Sequence, residues 1–348
     1  MSSTQAPHPH HRPTLAEVAA IAGVSHQTVS RVINSYPGVR PATRDRVRAA
    51  IEQLGYRRNT AARSLATRES RLIGVIATGS FLYGPTSTLS SIERAARDNG
   101  YMALLATMKN AEETDLNLAV DQCLEYSVDI LIIIANQEIW VRYADGLDLD
   151  IPVIVVGPRS ANLNNLTCMS VDQTRGAEMA VEHLHSLGHR HIGLLAGPRD
   201  WVDAQQRLAG ALDTCSRLRI DVDVFEGDWT GGEGHRVGME VARMPRHERP
   251  TAVFAANDQM ALGMLSAFHE AGVSVPGEIS IIGFDDVPDA RYYSPSLTTI
   301  RQDFETLGSR VITTSLNLLR GIGSEPGLVP PILTVRASTA APPDFTQL

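Results

Sequence analysis

The sequence predicts a small all-α helix-turn-helix head followed by an α/β body of two doubly wound lobes. Three observations carry the prediction. Charge is split along the chain: residues 1–71 hold 11 Arg against 4 Asp or Glu, a balance of +7, while the other 277 residues hold 20 Lys or Arg against 35 Asp or Glu, a balance of −15. Near the N-terminus, apolar residues recur with helical period on both sides of a glycine-containing turn. From Leu72 onward, strand-length apolar runs alternate with amphipathic helical stretches. At 348 residues the chain is long for one compact core, which fits two or three folding units.

Residues 1–13 read as a polar tail. His8, His10 and His11 have no further ligands beside them, so they read as part of that tail rather than as a metal site, and no cofactor is expected. The head occupies residues 14–58. Leu15, Val18, Ala19 and Ala22 share one helical face, with Thr14 as N-cap and Glu17 completing a capping box. Gly23 interrupts the run where a tight turn needs positive φ. Ser25 caps a second helix whose apolar face is Val29, Val32 and Ile33, and Ala19 is small where the two helices must cross. Pro41 suits the first turn of a third helix with the stripe Val47, Ile51 and Leu54, ended by Gly55.

Two short helices about such a turn form a helix-turn-helix, and a basic one predicts contact with DNA. Its second helix would enter the major groove N-terminus first, presenting Ser25, His26 and Gln27, with Arg31 one turn further. Glutamine pairs bidentately with adenine and arginine with guanine. Residues 59–70 join head to body. Ala61, Ala62, Leu65 and Ala66 favour helix, but an isolated helix this short is marginal in water. A segment disordered alone and helical when paired on DNA is consistent with that balance.

In the body, 71–340, LIGVIA, MALLAT, DILIIIA and PVIVVG form one series of strands, with helical stretches such as 86–99 and 112–125 between them. HIGLLAG, VDVFEGD, AVFAAN and ISIIGFD form a second, with helices such as 173–187 and 258–271. Strands buried on both faces and alternating with helices imply parallel sheets. Two series imply two lobes with ligand between them, at the C-terminal ends of the strands. Arg207, Asn257, Asp285 and Trp229 fall at such ends or in the loops after them. Arginine offers a fork of donors, asparagine a donor and an acceptor, aspartate acceptors for two hydroxyl protons, and tryptophan a plate for a pyranose face. Each also has a plainer reading: Asp285 as a turn cap with Asp286, Arg207 as a surface helix residue, Trp229 as core. Residues 341–348 read as a tail.

GVIATG lacks the dinucleotide fingerprint, and no Walker A sequence, G-x-S-x-G elbow or H-E-x-x-H is present, so an enzyme is not expected. No run of 18 apolar residues occurs, so no membrane partner is expected. Met1–Arg12 lacks the apolar stretch of a secretory signal. Cys123, Cys168 and Cys215 lie far apart and read as reduced thiols of a cytoplasmic protein.

VSHQTVSRVIN, preceded by LAEVAAIAG, resembles the DNA-binding domain of the LacI/GalR family of bacterial repressors. EHLHSLGHRHIGLLAGP, RLAG, EGDW, PTAVFAANDQMALG and SPSLTTIRQDF resemble that family's sugar-responsive core, itself similar to periplasmic sugar-binding proteins. The body likeness runs from Leu72 to Thr339. The resemblance implies base readers at His26, Gln27 and Arg31; the family's first reader is a tyrosine, and this chain has His26. It implies further DNA contacts from Thr14, Ser25, Thr28, Ser30 and Asn34, and from Asn59, Ala62 and Leu65 in the hinge. There Leu65 would wedge between base steps in the minor groove. In the core it implies ligand contacts from Thr78, Leu82, Arg207, Trp229, Asn257 and Asp285. Where the likeness places a pocket aspartate, this chain has Gly157.

The implied function is a transcriptional repressor released from a palindromic operator by a sugar, a galactoside or another glycoside. A palindrome demands a two-fold dimer. The final STAAPPDFTQL is too short and proline-rich for a coiled coil, so a homodimer is the expectation. The alternatives are a regulator answering to a corepressor such as a purine or to a phosphoprotein, a sugar-binding protein without regulatory role, and an enzyme using Asp285 and Asp286.

Overall fold

The computed structural model describes residues 13–57, 69–78, 82–108, 112–157, 166–323 and 327–343. Contacts divide the chain into two units, Met1–Ser70 and Arg71–Leu348. The hinge residues Asn59, Ala62 and Leu65 lie outside the described residues.

Three helices make up the described part of the first unit: α1 (Leu15–Ala22), α2 (His26–Ile33) and α3 (Pro41–Leu54). The capping box forms as the sequence predicts. The Glu17 amide donates to Thr14 Oγ1 at 3.3 Å, and the Glu17 carboxylate accepts from the Thr14 amide at 2.6 Å. Gly23 and Gly55 close α1 and α3 with left-handed φ of 62° and 61°. At such angles a Cβ is strained, which is why glycine ends both helices. Ser25 caps α2 by accepting from the Thr28 amide at 3.2 Å. Val18, Ala19, Ala22, Val29, Val32, Val47 and Ala50 form one small core.

The second unit is two α/β lobes. The first contains β1 (Leu72–Thr78), α4 (Tyr83–Asp98), β2 (Met102–Met108), α5 (Glu113–Glu125), β3 (Ile130–Ile134), α6 (Glu138–Asp145), β4 (Val153–Val156) and β5 (Thr167–Val171). The second contains α7 (Gln173–Ser186), β6 (His191–Leu195), α8 (Val202–Leu218), β7 (Asp221–Phe225), α9 (Gly231–Arg243), β8 (Ala252–Ala255), α10 (Asp258–Glu270), β9 (Ser280–Asp285) and β10 (Thr298–Arg301). The chain then returns through α11 (Phe304–Leu319), which packs on α4 and β5, adds β11 (Gly327–Val329) to the first sheet, and ends with β12 (Ile332–Thr334) in the second. The sheet orders are β11-β5-β4-β3-β1-β2 and β12-β10-β9-β8-β6-β7. The pairings are parallel except β10 with β12. The chain therefore passes between lobes three times: after β5, after β10 and after β11.

Helices cover both faces of each sheet, so central strands carry continuous apolar runs. All five residues of β3 are buried, as are all four of β8. The helix expected over 86–99 begins earlier, at Tyr83. Pro85 lies in its first turn, where a missing N–H leaves no helix bond unmade. Strand β10 was hidden in the sequence by its threonines. They tolerate full burial because Thr299 donates to Asp258 at 2.6 Å and Thr298 shares a hydrogen bond with Thr339 at 3.1 Å. Among the described residues no helix is long and apolar enough to cross a membrane.

Candidate DNA-reading surface and ligand cleft

The N-terminal turn of α2 presents Ser25, His26 and Gln27 to solvent, with Arg31 and Asn34 exposed further along. Val29 and Val32 turn inward and fix which face is outward. Thr28 is half-buried and shares a hydrogen bond with Ser25 at 2.9 Å. Ser30 is half-buried and accepts from Asn34 at 3.3 Å. The Arg31 guanidinium sits 5.6 Å from the Tyr36 ring centroid, a cation–π contact that restricts its reach. Thr14, at the start of α1, is exposed and caps that helix. Gln27→Ala and Arg31→Ala should each weaken binding to a preferred DNA site by about 1–3 kcal/mol and relax the base choice at one symmetric position. Non-specific DNA binding should change little for Gln27→Ala. Competition between specific and random duplexes measures both.

Between the lobes lies a cleft lined by residues of both, a place where α/β proteins bind small molecules. It is lined at the C-terminal ends of strands from both sheets, among others by Leu82, Asn136, Gly157, Trp201, Asp203, Arg207, Trp229, Asn257, Asp285 and Gln302. The first sheet reverses its order at β1, which has β2 on one side and β3 on the other, and such switch points leave crevices.

Arg207 projects from α8 and is 4 % exposed, which overturns its reading as a surface helix residue. Its guanidinium lies 3.8 Å from the Phe284 ring centroid. Nε donates to Gln173 at 2.8 Å, and Nη1 donates to the Ala256 carbonyl. Asp285 ends β9 with φ 114°, followed by Asp286 at φ 53°. Two successive residues in the left-handed region store strain of order 1–3 kcal/mol each, held here by surrounding bonds. Asp258 accepts from the Val287 amide at 2.8 Å, and Arg336 donates to Asp286 at 2.6 Å.

Burial pushes the Asp285 carboxyl up to about 6, against the pull of Arg207 and the Gln302 amide, while Asp203 adds to the rise. Burial likewise raises Asp203, opposed by Arg207. It raises Asp258 well above the usual carboxylate range, with Asp285 as the second cause.

Asn257 lines the cleft, as expected of a residue after β8, and also holds local structure. Its Oδ1 accepts from the Met260 amide at 2.9 Å as the N-cap of α10, and its Nδ2 donates to the Trp229 carbonyl at 3.0 Å. It thus caps a helix and holds Trp229, which stands at φ 74°, and keeps a second N–H and a second lone pair for a ligand. Trp229 is both core and cleft wall. It packs edge-on against Trp201, centroids 5.7 Å apart, yet its Nε1 is buried without a partner. Thr78 does not line the cleft; its hydroxyl accepts from Asn136 Nδ2 at 3.4 Å. That leaves Asn136 Oδ1 buried and unpaired. An unpaired buried acceptor from one lobe and an unpaired buried donor from the other, both lining the cleft, favour a ligand with hydroxyl groups. Gly157 does line the cleft, but a Cβ there would collide with the Ala135 carbonyl oxygen, so this backbone has no room for an aspartate.

Sequence reasoning missed Asn136, Trp201, Asp203, Gln173 and Gln302. Asn136 follows the apolar run DILIIIA directly, and Gln302 stands inside SPSLTTIRQDF, so a signal for those two was present.

Comparison with known proteins places these features in context. Residues 14–59 match the family described as bacterial regulatory proteins, lacI family, and residues 181–339 match the periplasmic binding protein-like domain. The chain is 36% identical over 334 residues to the lactose operon repressor of Escherichia coli (strain K12), spanning 94% of this chain and 91% of that protein. It is 33% identical over 304 residues to the HTH-type transcriptional repressor PurR of Klebsiella pneumoniae (strain 342), spanning 85% and 87%. Among solved structures, a lac repressor dimer bound to operator and the anti-inducer ONPF superposes with a TM-score of 0.84 at 34% identity, covering 95% of this chain and 100% of that one. A complex of the transcriptional regulator CelR with cellobiose superposes with a TM-score of 0.68 at 28% identity, covering 94% and 100%.

Proposed function

Because this chain belongs to the LacI family of bacterial regulatory proteins, we propose that it is a homodimeric transcriptional repressor released from a palindromic operator by a neutral sugar. The chemistry of the cleft carries the choice of ligand. Among the described lining residues Arg207 is the one cation, and its fork is engaged by Gln173, Ala256 and the neighbouring Asp285. Two carboxylates, Asp203 and Asp285, face the same space. A phosphate would meet that negative field without a free cation. A neutral polyol brings donors for the carboxylates and Asn136 Oδ1, and an acceptor for Trp229 Nε1.

The head, 14–58, reads the operator through His26, Gln27 and Arg31, with Thr14, Ser25, Thr28, Ser30 and Asn34 positioning it. The hinge, 59–70, adds Asn59, Ala62 and Leu65. In the core, 71–340, Arg207, Asp285, Trp229, Asn257 and Leu82 hold the ligand, with Thr78 supporting Asn136 from behind. Ligand shifts the balance between two lobe arrangements by its difference in affinity for them, and only one arrangement holds both heads on DNA. Such a protein works in the cytoplasm, where the DNA is. Asp286 donates no proton readily while it accepts from Arg336 at 2.6 Å, which speaks against an acid/base pair of Asp285 and Asp286 on a bound sugar. We expect bound sugar to leave unchanged.

The test is fluorescence titration, since Trp201 and Trp229 both line the cleft. The panel is neutral mono- and disaccharides, sugar phosphates and free purine bases. Saturable quenching by one neutral glycoside is expected; saturation by a phosphate or a purine alone would contradict the reading.

The pH dependence follows from Asp285. A carboxyl raised in the fold contributes stability fully below its unfolded value of about 3.9 and loses it as the pH rises through its folded value. For Asp285 that loss falls as the pH climbs through about 6. Accepting two hydroxyl protons needs the ionised form, so sugar affinity should fall up to about tenfold per pH unit below that midpoint. Burial, Arg207, Gln302 and Asp203 set that midpoint. Titration of sugar binding between about pH 5 and 7.5 measures the effect.

A further inference from the structure

Four buried side chains close a ring at one side of the cleft. Arg207 Nε donates to Gln173 Oε1 at 2.8 Å, and Gln173 Nε2 donates to Gln302 Oε1 at 2.9 Å. Gln302 Nε2 donates to Asp285 Oδ1 at 2.7 Å, and that oxygen lies 3.8 Å from Arg207 Nη2. The direction of both amides is forced. A guanidinium only donates and an ionised carboxylate only accepts, so each amide receives from the arginine side and donates towards the aspartate. Bonds aligned head to tail polarise one another.

The two amides also sit where the chain changes lobes. Gln173 opens α7, on the first passage from lobe one to lobe two; Gln302 lies between β10 and α11, on the return. Neither amide is needed for local capping. Asp172 caps α7 by accepting from the Arg175 amide at 2.9 Å, and Asp303 caps α11 by accepting from the Thr306 amide at 3.0 Å. The amides instead reach 34, 129 and 17 residues along the chain to complete the ring.

We infer that Gln173 and Gln302 are positioning residues that tie the ligand-contacting Arg207 and Asp285 to two of the three interlobe passages, so that occupancy of the cleft is read out as lobe orientation. This rests on the sugar-responsive reading above, but its test uses no ligand, so the two can fail separately. The variants are Gln173→Met and Gln302→Met, which keep volume and remove the amide. Gln173→Asn and Gln302→Asn shorten the amide and keep its polarity, should the first pair fold poorly.

Two properties of the full-length protein are measured. Carboxyl carbon NMR, assigned with Asp285→Asn, follows the Asp285 titration. Energy transfer between dyes on Leu118→Cys and Leu212→Cys, exposed positions in the two lobes, gives the distribution of interlobe distances; the native cysteines are buried. Each Gln173 variant should move the Asp285 midpoint upward, although Gln173 does not touch Asp285, and each variant should broaden the distance distribution. A packing role at Gln173 would leave the Asp285 titration where it was. If either the titration or the distances stay at wild-type values in a folded Gln173 variant, the inference is overturned.

Discussion

Replacing Arg207 with alanine is expected to abolish the response to sugar while leaving the head able to bind DNA. The guanidinium is 4 % exposed and engages Gln173, the Ala256 carbonyl, Asp285 and the Phe284 ring together. Its loss leaves Asp285 buried without its counter-ion. Removing one partner of such a pair costs up to about 3–5 kcal/mol while the remaining charge stays buried and unpaired, and protonation of Asp285 relieves part of that cost. The Asp285 carboxyl, which Arg207 now pulls down, should rise further above about 6 and be largely protonated near neutrality. A protonated acid accepts hydrogen bonds poorly from hydroxyls, so sugar affinity should fall by a factor of 100 or more, roughly 3 kcal/mol. Arg207→Lys keeps the charge but not the planar fork. It should recover part of the stability and little of the affinity. Thermal unfolding and tryptophan titration, run on both variants, separate the two losses.

Gly263→Ala is expected to cost about 3 kcal/mol or more, the upper range for overpacking a core. Helices α9 and α10 cross backbone to backbone. A Cβ on Gly263 would overlap the Gly231 carbonyl oxygen and stand 2.7 Å from the His235 nitrogen. A Cβ on Gly234 would overlap the Met260 carbonyl, and one on Gly238 would come to 2.7 Å from the Ala267 methyl. The contacting atoms are largely main chain, so no rotamer change relieves them and the helices must separate. Separation also reaches the cleft, because Trp229 stands before α9 and Asn257 caps α10. Denaturant unfolding should show a lower midpoint, and sugar affinity should fall with it. Leu262→Ala, on the neighbouring exposed position, should stay within about 0.5 kcal/mol of wild type.

The elements that could be read directly from the sequence are those fixed by local chemistry. Thr14, Glu17, Gly23 and Ser25 act within three residues of their partners, and the structure shows the caps and turn they predict. The alternating strands and helices were visible because strands buried on both faces must be apolar throughout. β5 and β10 were not, since Cys168, Ser170, Thr298 and Thr299 break the apolar pattern, and the hydroxyls of Thr298 and Thr299 find partners distant in sequence. The cleft was legible in part. Arg207 and Asp285 came with the family resemblance and line it. Thr78 was expected to line the cleft and instead supports Asn136, because the side-chain amide of Asn136 takes up its hydroxyl. Gln173 escaped notice because an amide carries no pattern of its own, and Gln302, although it stands in a segment that carried the resemblance, has a role that depends on a partner 129 residues away.

The most direct measurement is selection of DNA by the full-length protein from a library of inverted repeats at controlled salt, with and without a panel of neutral mono- and disaccharides. The account predicts enrichment of one inverted repeat and its release by one sugar. Enrichment strengthened by ligand would replace induction with corepression, and no enrichment under any condition would contradict the central claim that this chain is a sequence-specific repressor.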